Sequence, residues 1–158
     1  VGLIDVLNVD RVSVSSETEG EVRDKPAALM RLSSLLAQGA DGVPVERILH
    51  VLTEREAVQS TGVGGGVAVP HGAVEDLKHQ VGALLVCPEP IAFDAIDGEP
   101  VSIMFALVGP KGAPAQHLKI LARMSRLLRN EEFRKNLKRA PSGRHAFELI
   151  MGAEQARK

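Results

Sequence analysis

Apolar positions along the chain recur in short segments whose period switches between about two and about 3.6, the pattern of strands interleaved with helices. Gly2 to Leu7 is an apolar cluster that reads as one helical turn, and Arg11-Val12-Ser13-Val14 alternates as a half-buried strand does. After a polar stretch, Asp24 caps a helix that tolerates Pro26 in its first turn, carries Ala28, Leu29, Leu32, Leu35 and Leu36 at helical spacing, and stops at Gly39. Asp41-Gly42-Val43-Pro44 opens a second helix with Val45, Ile48, Leu49 and Leu52 on one face and Glu46, Arg47, Glu54 and Arg55 largely elsewhere. This helix runs into a glycine-rich stretch, Ser60 to Gly72.

Ala73 to Gln80 is polar and reads as a turn or short helix. Val81 to Cys87 is a near-continuous apolar run, predicted as a central strand that ends at Pro88 and Pro90. Asp97-Gly98 signals a turn, and Val101 to Val108 predicts another strand, broken by Gly109-Pro110-Lys111-Gly112. Pro114 starts the longest helix, continuing to about Arg129, with His117, Leu121, Met124 and Leu128 on its inward stripe. Asn130 caps a helix from Glu131 to Arg139, and Ser142 or Gly143 opens a last one through Phe147, Leu149 and Ile150, with a frayed tail after Gly152. The alternation, with no internal repeat or linker, predicts a single α/β domain: a mixed β-sheet flanked by helices. Its first few residues and 153–158 are expected at the periphery.

Composition narrows the function classes. The chain has 158 residues, 44% hydrophobic, enough for a real core in one domain. With 19 basic and 20 acidic residues it carries no global charge that would draw nucleic acid or an anionic membrane. Four Phe and no Trp or Tyr leave few stacking platforms for single-stranded nucleic acid. The lone cysteine, Cys87, suits a reducing compartment and lies in an apolar run, as a buried thiol does. No apolar run approaches a membrane span, and the start of the chain lacks a basic region followed by an apolar core, so direct membrane insertion is not expected and the reading is cytoplasmic.

The chemistry concentrates around Gly62 to Gly72. Four glycines within positions 62–66 serve neither helix nor strand, so they imply positive φ angles or close approach of another surface. His71, between a stiff Pro70 and a permissive Gly72, is displayed at a strand end. A nucleotide-binding loop does not fit: no Gly-Lys-Ser/Thr follows, and position 67 lacks the glycine of a dinucleotide fingerprint. His71 and His79 lie eight residues apart without a metal-binding motif, and His50 with Glu54 reads as a surface helix pair. The basic residues of the C-terminal helices read as a solvated face, or more sharply as a docking surface for an acidic partner.

The segment Arg55-Glu56-Ala57-Val58-Gln59-Ser60-Thr61-Gly62-Val63-Gly64-Gly65-Gly66-Val67-Ala68-Val69-Pro70-His71-Gly72 resembles the phosphorylation-site signature of type 2 IIA components of the bacterial phosphoenolpyruvate-dependent phosphotransferase system, the fructose, mannitol and nitrogen-regulatory group. The similarity continues through Phe93 to Val101 and through His117-Leu118-Lys119-Ile120-Leu121. It implies a type 2 IIA domain over residues 1–158 in which His71 takes a phosphoryl group from an HPr-type phosphocarrier. The group then passes to a IIB protein or domain, or serves as a signal to a regulatory protein target. It also implies that Arg55 and His117 line the site, and it implies neither metal nor cofactor. The family often has Asn at the position of Gly65 and Lys at that of Ala73, which bears on loop stiffness and on a cation near the phosphoryl group. Two other readings stand beside the phosphocarrier: a nitrogen-regulatory protein-binding module with no sugar-transport role, and a glycine-loop ligand binder without covalent chemistry.

Overall fold

The computed structural model describes residues 2–16 and 18–156. Among these residues six strands form one mixed sheet: β1 (Val12–Val14), β2 (Gly62–Gly64), β3 (Val67–Ala68), β4 (His71–Ala73), β5 (Val81–Ile91) and β6 (Val101–Gly109). The order is β1-β5-β6-β3-β2, with β4 also on β6. Among the described residues five α-helices cover both faces: α1 (Lys25–Ala37), α2 (Val45–Val58), α3 (Pro114–Leu128), α4 (Glu131–Lys138) and α5 (Gly143–Ala156).

The central pair β5 and β6 is antiparallel and buried on both sides, which is why both read as continuous apolar runs. Their alternate residues feed two cores. Ala83, Leu85, Met104 and Ala106 meet Leu29, Leu32 and Leu36 of α1 with Ile48 and Leu52 of α2. Leu84, Val86, Ile103, Phe105 and Leu107 meet Ile120, Met124 and Leu128 of α3 with Leu137 and Ile150 beyond. Leu32 and Leu36 are fully buried, each contributing about 1.5–3 kcal/mol of transfer free energy. The expected caps form: Ala27 N–H donates to Asp24 and Phe133 N–H to Asn130.

Two boundaries differ from expectation. Strand β5 does not end at the prolines but continues to Ile91, because Pro88, Glu89 and Pro90 pass through an irregularity where no ladder N–H is demanded, before Ile91 pairs with Val101. Parts of both flanking segments also pack onto the domain. Leu3, Val6 and Leu7 are buried, and α5 continues past Gly152 to Ala156. The reason is Glu154: both its carboxylate oxygens accept from Leu3 N–H, at 2.8 and 3.0 Å, and one also accepts from Arg123 Nε at 3.2 Å. Residues 157 and 158 lie outside the described part.

Candidate functional site

The glycine stretch is a hairpin. Strands β2 and β3 pair antiparallel around Gly64, Gly65 and Gly66, all with positive φ (101°, 67° and 79°). Gly62 serves the other expectation: a Cβ there would sit 2.6 Å from that of Ala95. Asn adopts positive φ more readily than most side chains, so the Asn that the family resemblance implies at position 65 would suit the same turn as the Gly here.

Beyond the hairpin, β3 and β4 behave as one strand interrupted at Pro70. Both run parallel to β6, and the register offset is the same on each side of the break, from Ala68 opposite Met104 to His71 opposite Leu107. Pro70 has no N–H to give, but its carbonyl accepts from Leu107 N–H at 3.0 Å, so the interruption leaves the ladder satisfied. Val67 and Val69 belong to the core on the α3 side; alternation therefore turns His71 toward α3 and Gly72 toward α2. At Gly72 any Cβ would collide with Val51 of α2, which explains the glycine after the histidine.

His71 is half-buried, with Nδ1 at 2.7 Å from the carbonyl oxygen of Val69. A carbonyl only accepts, so Nδ1 carries the hydrogen and Nε2 the lone pair. His117, in the first turn of α3, lies with its ring centroid 5.6 Å from that of His71 and tilted by 51°. Burial first, and the neighbouring His71 second, push the His117 imidazole down to about 4. Arg55 lies one turn beyond Val51 on α2, and its guanidinium donates to the Gln59 carbonyl at 2.7 Å rather than to either histidine. The structure thus brings His71 and His117 together and leaves Arg55 holding the end of α2. Ala73 is exposed at the end of β4, opposite Gly109.

The low titration of His117 has a pH consequence. Between about 4 and the ordinary value of 6.5 the unfolded chain binds a proton there that the folded chain refuses, so stability falls as pH drops through that window. After allowance for partial exposure we expect a loss of roughly 1–2 kcal/mol from this group. Urea titrations at several pH values should show it, and His117→Gln should flatten the slope.

Two supports were not legible as motifs. Glu56 is buried on α2; its Oε1 accepts from Thr61 N–H at 2.8 Å and from the Thr61 hydroxyl, while Lys25 Nζ lies 2.7 Å from Oε2. That contact is an ion pair without a hydrogen bond, so Oε2 is held by charge. Thr61 then accepts from Val69 N–H at 3.0 Å, and Val69 accepts from His71, so the ion pair braces the carbonyl that orients the histidine. The available signal was Glu56 standing in register with Ile48 and Leu52 on the buried stripe. The second support, Gln80, carried no signal at all: its carboxamide oxygen is 2.8 Å from His117 Nδ1.

Other features have structural roles. Burial raises the Cys87 thiol to about 11, which leaves it inert. His50 and Glu54 face each other at 3.7 Å on an exposed helix surface. Arg134, expected on a solvated face, donates to the carbonyls of Leu128 and Arg129 at 2.7 and 2.9 Å and so closes the end of α3. A groove of about 350 Å³ between the hairpin and α3, lined by Val63, Gly64, Val67, Leu128 and Arg134 among others, includes neither histidine. Among the described residues no helix is long and apolar enough to cross a membrane.

Comparison with known proteins agrees with the architecture. Residues 7–152 match the family model described as "Phosphoenolpyruvate-dependent sugar phosphotransferase system, EIIA 2". A nitrogen regulatory protein of Bradyrhizobium diazoefficiens is 36% identical over 130 residues, 82% of this chain and 84% of that protein. The crystal structure of the nitrogen regulatory protein IIA-Ntr from Neisseria meningitidis superposes with a TM-score of 0.84 at 30% identity, covering 94% of this chain and 99% of that one. The Escherichia coli mannitol enzyme IIA, solved in complex with phosphorylated enzyme IIB, shares the fold at a TM-score of 0.74 and 18% identity, over 92% of this chain and 97% of that one. With a family model spanning nearly the whole chain, and a half-buried histidine on β4 between Pro70 and Gly72, this protein belongs to the type 2 EIIA family of the phosphoenolpyruvate-dependent phosphotransferase system.

Proposed function

We propose that this chain is a phosphocarrier whose His71 accepts a phosphoryl group on Nε2 from an HPr-type phosphohistidine and passes it to a IIB protein, or holds it as a signal to a regulatory target. The observation that carries the reading is the Val69 carbonyl on Nδ1, which leaves Nε2 as the nucleophilic atom next to His117. In the transfer, the P–N bond to the donor imidazole breaks as a P–Nε2 bond forms on His71. The Nδ1–H stays on Val69, where the carbonyl dipole stabilises the positive ring of the product. Transfer of this kind depends on positioning and on charge stabilisation at the equatorial oxygens. Arg55 supplies that charge by leaving the Gln59 carbonyl, and His117 supplies a hydrogen bond. The hairpin glycines keep the rim low for a partner's histidine or cysteine. The same reading places the protein in the cytoplasm and takes residues 1–158 as one IIA domain.

Incubation with phosphoenolpyruvate, enzyme I and HPr is expected to add one acid-labile, base-stable phosphoryl group by intact-mass measurement; no gain would overturn the reading. Arg55→Met is expected to slow the initial rate of that gain by about 10²-fold, the loss typical of one charge-stabilising donor, with thermal stability little changed. A second reading, the nitrogen-regulatory module, is favoured by the two nitrogen-regulatory relatives above. It predicts normal phosphorylation of His71 with no onward transfer to any sugar-specific IIB.

A further inference from the structure

Gln80 immediately precedes β5 and is buried at 3% exposure, an unusual place for a carboxamide. Its orientation is set at both ends. The amide nitrogen donates to the carbonyl of Ala113, the residue just before α3, which also receives the His117 N–H. The amide oxygen faces His117 Nδ1 at 2.8 Å. Space for the side chain exists because position 109 is glycine: any Cβ there would occupy the site of the carboxamide. With the amide nitrogen committed to Ala113, only the oxygen is left for the imidazole, and an oxygen acceptor requires Nδ1 to carry the hydrogen. His117 Nε2 is then bare. It can accept a hydrogen bond, but it can donate one to a phosphoryl oxygen only after gaining a proton.

We propose that Gln80 is a positioning residue that holds His117 in its Nδ1–H tautomer, and that His117 takes up a proton on Nε2 when a phosphoryl group reaches His71. The inference rests on the phosphocarrier reading for the second half only; the tautomer is a property of the unmodified protein. No other bond changes: one solvent proton adds to the Nε2 lone pair, and the resulting N–H donates to the phosphoryl oxygen. Burial keeps His117 uncharged beforehand, with its titration near 4. The titratable group facing it is His71, from β4. From the other elements come neutral dipoles, the Gln80 amide before β5 and the Ala113 carbonyl at the start of α3. Lys111 and Glu75, in the loops at this end of the sheet, pair with each other at 3.2 Å, and Arg55 of α2 is engaged with Gln59. A phosphoryl dianion on His71 would therefore place at His117 a negative charge that its surroundings do not already supply.

The test is imidazole nitrogen NMR on the full chain, with phosphoramidate as a small-molecule donor so that modification of His71 does not depend on any protein partner. His117 is expected as the neutral Nδ1–H tautomer at pH 7, and its titration midpoint is expected to rise by about 1–3 pH units on phosphorylation of His71. Gln80→Leu, close in volume and apolar, should give mixed tautomers at His117 and slow phosphorylation by about tenfold. Gln80→Glu keeps an acceptor at Nδ1, so it should restore the tautomer and raise the midpoint in the unmodified protein. An Nε2–H tautomer in the wild type, or an unchanged tautomer in Gln80→Leu, would overturn the positioning role. A midpoint that does not move on phosphorylation would overturn the proton uptake. Failure with phospho-HPr alongside success of these measurements would sink the phosphocarrier reading and leave this one standing.

Discussion

His71→Ala abolishes phosphoryl acceptance: in the presence of phosphoenolpyruvate, enzyme I and HPr, the variant is expected to show no mass gain where the wild type gains one phosphoryl group. The chain has five histidines, so the experiment also decides among them. His50 is exposed on a helix surface, paired with Glu54, and His117 gives its Nδ1 to Gln80 and is pushed toward low titration by burial. His71 combines an oriented ring, an available Nε2 and a neighbouring imidazole. The variant should fold normally. It removes a half-buried side chain and one hydrogen bond to Val69, a loss of about 1 kcal/mol, so circular dichroism and thermal melts should stay close to the wild type. A folded His71→Ala protein that still gained a phosphoryl group would move the acceptor elsewhere and end the case for this site.

Lys25→Met is expected to destabilise the fold strongly, through a charge left buried without its partner. The substitution keeps an apolar stem and removes the charge from Glu56, whose side chain is only 4% exposed. Breaking one side of a buried ion pair costs about 3–5 kcal/mol; Lys25, at 19% side-chain exposure, is less buried, so we expect about 2–4 kcal/mol. For a chain of this size that lowers the melting temperature by roughly 5–15 °C. Lys25 also donates to the Phe93 carbonyl at 3.1 Å and lies 4.6 Å above its ring, so the segment after β5 loosens as well. The double variant Lys25→Met/Glu56→Gln should recover part of the loss, since a Gln oxygen can still accept from Thr61 without a buried charge. Because Thr61 leads through Val69 to His71, the single variant should also accept phosphate more slowly at a temperature where it remains folded.

The helices were legible because their signals are local. Asp24 and Asn130 cap as expected, and the apolar spacing of α1 and α3 names the residues that are buried. His71 was legible for the same reason, since Pro70 and Gly72 act on its own backbone, and the extended likeness around it supplied Arg55 and His117 as companions. What sequence spacing could not reveal was which of these groups meet. The pairing of β4 with β6 and the start of α3 beside it bring His117 within 5.6 Å of His71, while Arg55 is held at Gln59. The two supports, Lys25–Glu56 and Gln80–Gly109, join residues about thirty apart, through contacts without a repeating period.

By itself, then, the amino-acid sequence determined the helical and strand segments, the glycine turn and the displayed histidine, since propensity, capping and backbone restriction act within a few residues. Only the tertiary structure decided that β5 outlasts its prolines, that Glu154 ties α5 to Leu3, and which ring nitrogen of each site histidine carries the hydrogen. Those outcomes depend on where a partner strand, carboxylate or carbonyl lies in space, and packing of distant segments alone sets that position.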